Sequence, residues 1–269
     1  MPVVSSLFIY PIKSCRGIAV STLHFEARGP AFDRRWMLVT PQGDVITQRQ
    51  NPRLALIETQ LSGGLLKVRA PKQQPLSIEP APLSARRAVR VWSFEGEALD
   101  AGTTAAEWFS QAIGEECRLV QFAPDVHRRV SQQFTDLKSE LAFADGYPAL
   151  LTSLESLSEL NRRLATPLPM NRFRPTIVVR DCRPFEEDSW QTLEGAELRL
   201  SVVKPCDRCK ITTIDQAQLK TSKEPLRTLA TFRKTPEGVL FGQNCVHHAP
   251  GSLRVGEVLC ATYRSGAAT

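Results

Sequence analysis

The chain has 269 residues, of which 42% are hydrophobic and 23% are charged, a composition typical of a globular protein rather than of a disordered one. Its formal net charge is +6, but the basic residues are scattered and no RNA-binding signature with interleaved aromatics accompanies them, so we expect no nucleic-acid partner. No apolar run approaches the roughly 18 residues that span a bilayer, and the N-terminus lacks the features of a secretory signal, which predicts a cytoplasmic protein without a membrane contact.

Short strands dominate the first part of the chain. Apolar or alternating runs at 4–14, 36–50 and 54–71 are separated by turns that contain glycine or proline, and these turns exclude long helices. A helix is predicted over 104–114, where TAAEWFSQAIG places apolar residues at helical spacing and ends at a glycine. The chain then returns to a predicted strand at 116–124.

The second half mixes a few helical signals with further strands. Residues 130–142 predict a loop or a short helix. Thr152 and Glu155 form a T-x-x-E capping box, which predicts the start of a helix in the leucine-rich run that follows. Further strands are predicted at 173–180, 196–204, 210–215 and 253–263. The resulting fold class is α+β, predominantly β, with a barrel-like β domain preceded by a smaller β-rich unit.

The seven cysteines are odd in number and irregularly spaced, which does not indicate a disulfide framework. Cys206 and Cys209 stand apart because they form a C-x-x-C pair in VVKPCDRCKITTID, at a predicted turn between two strands. Two thiols in such a turn suit a soft metal or a redox role. A thioredoxin-like dithiol or half a zinc site is the weaker alternative, because a predicted strand rather than a helix follows the pair and no second C-x-x-C completes a tetrahedral site.

Three basic sites lie at the ends of predicted strands. Lys13 and Ser14 follow a strand in YPIKSCRG, and such a turn can offer an ammonium, a hydroxyl and backbone N–H groups to one anion. Arg34 and Arg35 enter the strand of AFDRRWMLV, where alternation predicts one solvated side chain and one inward-facing side chain that needs an anionic partner. Arg174 precedes a proline and an apolar strand. A structural ion pair explains each arginine taken singly, but the three sites and the thiol pair together are typical of a phosphate-bearing cofactor that carries a soft metal.

These segments together resemble the MOSC family. The resemblance rests on motifs that follow the family's order between about residues 5 and 263, namely YPIKSCRGI, DRRWMLV, FADGYPALL, NRFRPTIVV, EEDSW, VVKPCDRCKITTID, EPLRTLATFRK, FGQN and LRVGEVL. The chain is similar in particular to the YcbX-type and amidoxime-reducing members, which have an N-terminal β-barrel companion domain. The resemblance implies a MOSC-associated β-rich domain at 1–122 and a MOSC β-barrel-like domain at 123–265, with the first strand and turn at 5–17 contributing to the cofactor site.

The resemblance also implies a molybdenum cofactor, in its molybdopterin form, and roles for individual residues. Cys209 matches the cysteine that ligates molybdenum, so it is the predicted metal ligand and a predicted catalytic residue. Asp145 matches an acidic residue beside the metal that relays or orients protons, and is the second predicted catalytic residue. The positions that match residues holding the pterin and its phosphate are Lys13, Ser14, Arg34 and Arg174.

Two departures from the family pattern bear on this site. Asp207 stands between the two cysteines where the nearest relatives usually have serine, and we expect it to contact the cofactor. Cys206 matches a cysteine without a ligand role. The second departure concerns electron supply. Many YcbX-type chains continue into a ferredoxin-like domain with clustered cysteines, whereas Cys245 and Cys260 of this chain lack the spacing of an iron–sulfur site. The resemblance therefore implies that a separate flavin or iron–sulfur protein supplies electrons.

The leading hypothesis is a molybdenum-dependent oxidoreductase that reduces small N-hydroxylated compounds, converting N–OH to N–H with release of water. The alternative is a MOSC module that binds the cofactor, or carries sulfur as a persulfide on Cys209, and delivers it to a partner. Both hypotheses place the chemistry at the same thiol and differ in whether a small-molecule substrate is reduced there.

Overall fold

The computed structural model describes residues 1–63 and 65–265, in which β-strands dominate, and this confirms the predicted fold class. The described residues form nineteen strands, which are, in chain order, β1 (Val3–Ile9), β2 (Ile18–Val20), β3 (Thr22–Glu26), β4 (Gly29–Pro30), β5 (Trp36–Val39), β6 (Glu58–Ser62), β7 (Leu65–Arg69), β8 (Leu76–Ile78), β9 (Arg86–Val91), β10 (Phe94–Asp100), β11 (Arg118–Phe122), β12 (Ala149–Ser153), β13 (Ile177–Arg180), β14 (Trp190–Glu194), β15 (Arg199–Asp207), β16 (Lys234–Thr235), β17 (Gly238–His247), β18 (Gly251–Arg254) and β19 (Cys260–Tyr263).

Helices are few and short. The α-helices of the described residues are α1 (Thr103–Ile113), α2 (Leu154–Asn161) and α3 (Leu226–Leu229). Short 3₁₀ helices cover Pro52–Leu56, Met170–Arg172, Glu186–Asp188 and Lys210–Thr213. Among the helices that the structure describes, none has the length and apolar character that a membrane crossing requires.

The largest sheet draws its strands from both ends of the chain. Its order in space is β19, β14, β15, β17, β12, β13, β1 and β2, and β16 pairs with β17. β1 runs antiparallel to β13, with Leu7 opposite Ile177. These two residues belong to the apolar core of the sheet, together with fully buried Trp190. The predicted domain boundary between residues 122 and 123 assigns β1 and β2 to the N-terminal domain. In space, however, these two strands belong to the same sheet as strands of the C-terminal half.

Three smaller sheets accompany it, with the orders β5-β11-β10-β9, β6-β7-β8 and β18-β3-β4. α1 packs in the first half of the chain, where its Trp108 and Phe109 share an apolar cluster with Leu54 and Leu66. The helix predicted at 104–114 is confirmed, because it covers Thr103–Ile113 and ends at Gly114, which has the left-handed φ of 72° that glycine favours at helix ends.

The strand predicted at 210–215 is wrong. Lys210–Thr213 forms a 3₁₀ helix directly after Cys209. The hydroxyls of Thr212 and Thr213 donate to the carbonyls of Cys209 and Lys210, at 2.9 and 2.7 Å, and such local bonds compete with strand pairing. Cys209 therefore precedes a helical turn rather than a strand, although four residues are too few to build an appreciable helix dipole.

α2 begins one residue later than the capping box predicts. Ser153, not Thr152, is the N-cap residue, and its Oγ accepts a hydrogen bond from the N–H of Ser156 at 3.1 Å. Thr152 is fully buried and still paired within β12, which delays the helix. The Glu155 carboxylate accepts a hydrogen bond from the N–H of Asp181 at 2.9 Å instead of closing a capping box.

A buried carboxyl group supports the start of α2. Glu187 is fully buried, and it accepts hydrogen bonds from the hydroxyls of Ser153 and Ser156, at 3.0 and 2.7 Å. Burial raises the pKa of Glu187 from 4.5 to about 7, against the opposing effect of these two hydroxyls. The folded state therefore favours the protonated carboxyl, whose stabilising contribution is complete below pH 4.5 and is lost as the pH rises through about 7.

We expect Glu187→Gln to remove this pH dependence, because glutamine stays neutral and keeps hydrogen-bonding atoms for the two serines. Between pH 5 and pH 8 the wild type should lose about 2 kcal/mol more unfolding free energy than the variant. Urea unfolding at both pH values measures the difference, and Glu107→Gln on the exposed face of α1 is the matched control. Equal pH dependence of the wild type and Glu187→Gln would contradict a neutral buried carboxyl.

Candidate functional site

A cleft opens where loops from both halves of the chain meet. It encloses about 800 Å³ of empty space, including its open mouth. The turn after β1, the loops before β5, β12 and β13, and the end of β15 all contribute side chains. Of the residues that the sequence predicts for the site, those that line this cleft are Lys13, Ser14, Arg34, Asp145, Arg174 and Cys209. Their roles stay predictions, but the fold brings them together from distant parts of the chain.

Lys13 is an ammonium enclosed by the protein. Only 5% of the residue is exposed, and its Nζ donates to the Phe143 carbonyl at 2.7 Å and forms an ion pair with Asp145. Burial lowers the pKa of Lys13, although Asp145 opposes this effect. Against the opposing effect of partial desolvation, the Lys13 ammonium and the Trp92 N–H hold the pKa of the Asp145 carboxyl well below its usual range. At neutral pH Asp145 is therefore a carboxylate that orients its neighbours.

The two arginines that were predicted to hold the cofactor lie against one aromatic ring. The guanidinium carbons of Arg34 and Arg174 each lie 4.3 Å from the centroid of the Tyr10 ring. Arg34 pairs with buried Asp33 at 2.5 Å, whereas Arg174 donates to the backbone carbonyl of Cys15 at 2.7 Å. Burial raises the pKa of Tyr10 to about 12, so the ring is neutral. Contact with a neutral ring fixes both guanidinium groups without cancelling their charge.

The backbone at three of these positions is in the left-handed region. Ser14, Arg34 and Arg174 have φ angles of 69°, 47° and 54°. Residues other than glycine, asparagine and aspartate seldom adopt this conformation, which costs on the order of 1–3 kcal/mol and clusters at functional sites. At Ser14 the conformation is supported by Gln48, whose Nε2 donates to the Ser14 carbonyl at 2.5 Å.

The prediction that one of Arg34 and Arg35 is solvated is wrong. Both side chains are only 15% exposed, and Arg35 donates to the Glu26 carboxylate at 2.8 Å. Arg34 lies in the turn before β5 with its left-handed backbone, so strand alternation does not apply to it. Each arginine of the pair therefore has its own carboxylate.

The two thiols contact different arginines. The Sγ of Cys209 accepts a hydrogen bond from Nη2 of Arg49 at 3.3 Å, and the Sγ of Cys206 accepts one from Nη1 of Arg208 at 2.9 Å. Burial raises the pKa of Cys206, against the opposing effect of Arg208. Both cysteines are free rather than joined in a disulfide. Cys209 is thus presented beside a cation in the cleft, while Cys206 anchors the Arg208 side chain.

Asp207 lies outside the cleft that the other predicted site residues line, so its contact with a cofactor stays a prediction. Its side chain is 56% exposed, lies 3.8 Å from Nζ of Lys204, and is outside the lining of the cleft. Asp207 is the last residue of β15, and its neighbours on both sides, Cys206 and Arg208, line the cleft while it does not.

Sequence reasoning missed three side chains of the site. Arg208 lies inside the C-x-x-C motif, so its position between the thiols was a usable signal. Arg49 lies in TQRQNPRL and Trp92 lies in a hairpin of the N-terminal half, and no local pattern connects either residue with Cys209 or Asp145. Only the packing of the separate elements shows that Arg49 lines the cleft and that Trp92 contacts side chains that line it.

The cleft has more positive than negative charge. Among the described residues, the basic side chains that line it are Lys13, Arg34, Arg49, Arg174 and Arg208. In the part of the chain that the structure describes, Nη1 of Arg49 and Nε of Arg208 are buried without a hydrogen-bond partner. Such donors are costly to leave unpaired, and an anionic ligand with several oxygens would satisfy them.

The donor set therefore fits a phosphate-bearing group that carries a sulfur-binding metal, with Cys209 as the soft ligand. Within residues 1–63 and 65–265, no group of three or more histidine, cysteine, aspartate or glutamate side chains is placed to hold a metal ion.

Comparison with known proteins gives consistent matches along the chain. The model of the MOSC N-terminal beta barrel domain matches residues 1–116, and that of the MOSC domain matches residues 138–259. The chain is 35% identical to mitochondrial amidoxime-reducing component 1 of Homo sapiens, over 94% of this chain and 81% of that protein. The values for the Xenopus laevis protein of the same name are 35%, 98% and 83%. Those for mitochondrial amidoxime reducing component 2 of Bos taurus are 33%, 94% and 81%.

Proposed function

Since the chain belongs to the MOSC-domain family that includes the amidoxime-reducing components, we propose that it is a reductase of N-hydroxylated compounds. In the net reaction an N–OH group, two electrons and two protons give N–H and water. The observation that carries the proposal is the Cys209 thiol beside Arg49, in a cleft lined by basic side chains whose buried donors need an anionic ligand.

We propose that the molybdenum cofactor in its molybdopterin form binds in this cleft. When bound, the cofactor supplies the two-electron redox chemistry. Cys209 would provide a thiolate ligand, which a soft metal prefers. Arg34 and Arg174, held against the Tyr10 ring, would bind the phosphate, and Ser14 would donate its hydroxyl to the same group.

The ion pair of Lys13 and Asp145 is suited to supplying protons to the reaction. Nζ of Lys13 donates a hydrogen bond to the Phe143 carbonyl and pairs with Asp145. Because burial lowers the pKa of Lys13, its ammonium releases a proton more readily than a surface lysine does. The Asp145 side chain is 64% exposed, so its carboxylate can accept a hydrogen bond from an entering substrate and orient it.

We also propose that a separate flavin or iron–sulfur protein supplies the electrons. The cytoplasmic location stays a prediction.

The test of the reductase proposal uses protein purified with its molybdenum cofactor, an artificial one-electron reductant and benzamidoxime. We expect one benzamidine per two electrons consumed. Protein that contains molybdenum and stays folded but forms no benzamidine, and does not reduce N-hydroxylated bases either, would overturn the reductase proposal.

A persulfide carrier is the second candidate. It is favoured by the position of Cys209, a partly exposed residue whose Sγ lies beside the Arg49 guanidinium, which would neutralise a persulfide anion. Cold cyanolysis of the purified protein detects such labile sulfur as thiocyanate. Thiocyanate from the wild type but not from Cys209→Ser would support the carrier, and none from either protein would exclude the sulfur version.

A further inference from the structure

The hairpin between β9 and β10 has a tryptophan where a small residue is usual. Val91 pairs with Phe94, so Trp92 and Ser93 form a two-residue loop. Trp92 has a φ of 54°, and glycine, asparagine and aspartate are the residues that adopt this left-handed conformation in such loops. A bulky side chain at this position is strained, and strain of this kind is concentrated at functional sites.

Contacts with the cleft hold the Trp92 side chain in place. Its Nε1–H donates to Oδ1 of Asp145 at 3.0 Å. The guanidinium carbon of Arg49 lies 4.5 Å from the ring centroid, and Nζ of Lys13 lies 5.6 Å from it. All three partners line the cleft, so the tip of the hairpin lies beside it.

The indole ring nevertheless keeps a large free surface. Trp92 is 45% exposed, whereas the other three tryptophans of the chain, Trp36, Trp108 and Trp190, are at most 9% exposed. The side chains that Trp92 contacts at the cleft are all charged. Trp92 therefore adds a flat apolar surface to the edge of an otherwise ionic site.

We propose that Trp92 determines substrate specificity by forming an aromatic wall at the mouth of the cleft, on which the aryl body of an N-hydroxylated amidine packs. This inference rests on the proposed function and narrows its substrate class. The N–OH end of the substrate enters the cleft, while the Asp145 carboxylate, fixed by the indole N–H, accepts a hydrogen bond from the substrate's amino group. Aromatic rings attract one another beyond the area that they bury, so an aryl substrate gains from the wall and an alkyl substrate does not.

The test compares two variants on two substrates with the same reacting group. Trp92→Asn removes the ring and places in the loop a residue that tolerates the left-handed backbone, so it should fold well. Trp92→Phe keeps a ring and loses the N–H donor. For benzamidoxime we expect Trp92→Asn to lower kcat/KM about tenfold, mainly through KM, a change that corresponds to one aromatic contact. For acetamidoxime we expect a smaller loss, because this substrate loses only the effect of the indole N–H on Asp145, so the ratio of the two kcat/KM values should fall. For Trp92→Phe we expect most of the wild-type preference for the aryl substrate.

Two results would overturn the inference. An equal loss on both substrates in Trp92→Asn would mean that the indole acts only by fixing Asp145. No loss on either substrate would mean that Trp92 does not contact substrate at all. Both results leave the proposed reductase function intact, because each requires that the wild type reduce the substrates.

A binding measurement separates this inference from the proposed activity. Trp92 is the one half-exposed tryptophan, so quenching of fluorescence by acrylamide reports mainly on its ring. Benzamidoxime in the absence of any reductant is bound but not reduced, so it should protect the wild type from quenching, whereas acetamidoxime at the same concentration should not. Protection without any benzamidoxime reduction would keep the aromatic wall and overturn the activity. Absence of protection would overturn the wall whatever the activity is.

Discussion

Replacing Cys209 by serine is expected to remove molybdenum from the purified protein and to abolish reduction of benzamidoxime. Serine offers a hard, protonated oxygen in place of a soft thiolate, and the metal loses its protein ligand. Replacing a residue that only hydrogen-bonds to a metal ligand already weakens metal binding by about 10- to 100-fold. Replacing the ligand itself should therefore weaken molybdenum binding by more than about a hundredfold. Metal analysis by mass spectrometry, on protein from a host that makes molybdopterin, measures this directly.

Cys206→Ser is the matched control in the same motif. The Sγ of Cys206 contacts Arg208 rather than Arg49, so serine should retain near-stoichiometric molybdenum and most of the activity. Equal metal content in the wild type, Cys206→Ser and Cys209→Ser would contradict a cysteine-ligated cofactor. Molybdenum in none of the three, from a competent host and with the chains folded, would place the persulfide carrier first.

Among the variants discussed, Asp33→Ala is expected to lower the free energy of unfolding most. Asp33 is 4% exposed and serves two groups, because it pairs with Arg34 at 2.5 Å and accepts a hydrogen bond from the N–H of Tyr10 at 2.7 Å. Removing the carboxylate leaves a guanidinium enclosed without its partner, which typically costs about 3–5 kcal/mol. Urea unfolding at pH 7 gives the change in unfolding free energy.

The neighbouring pair supplies the control. Arg35 pairs with Glu26, whose side chain is 58% exposed, and exposed ion pairs contribute only about 0–1 kcal/mol. Glu26→Ala should therefore change the unfolding free energy by less than about 1 kcal/mol. Similar losses in Asp33→Ala and Glu26→Ala would show that Asp33 does not hold Arg34 as the structure indicates.

Local patterns predicted the elements in which local preferences and packing agree. The helix at Thr103–Ile113 has both an apolar face and a terminal glycine, so its prediction needed no knowledge of its neighbours. The strand prediction for KITTID was wrong because β-branched residues also suit a 3₁₀ turn when the threonine hydroxyls donate hydrogen bonds to the backbone. Thr152 is not the cap because the pairing of β12 with β13 continues one residue further, to Ser153, and such pairing is a contact with another part of the chain.

The sequence by itself determined the predominantly β fold class, the family and the set of residues whose chemistry suits an anionic cofactor with a soft metal, because these follow from residue types and motifs. Only the tertiary structure decided which of them meet. It leaves Asp207 outside the lining of the cleft, brings Arg49 to Cys209, and places Trp92 against Asp145. The Trp92–Asp145 contact joins residues 53 positions apart in the sequence, and the Arg49–Cys209 contact joins residues 160 positions apart. Sheet pairing and core packing, rather than local preferences, bring such distant residues together.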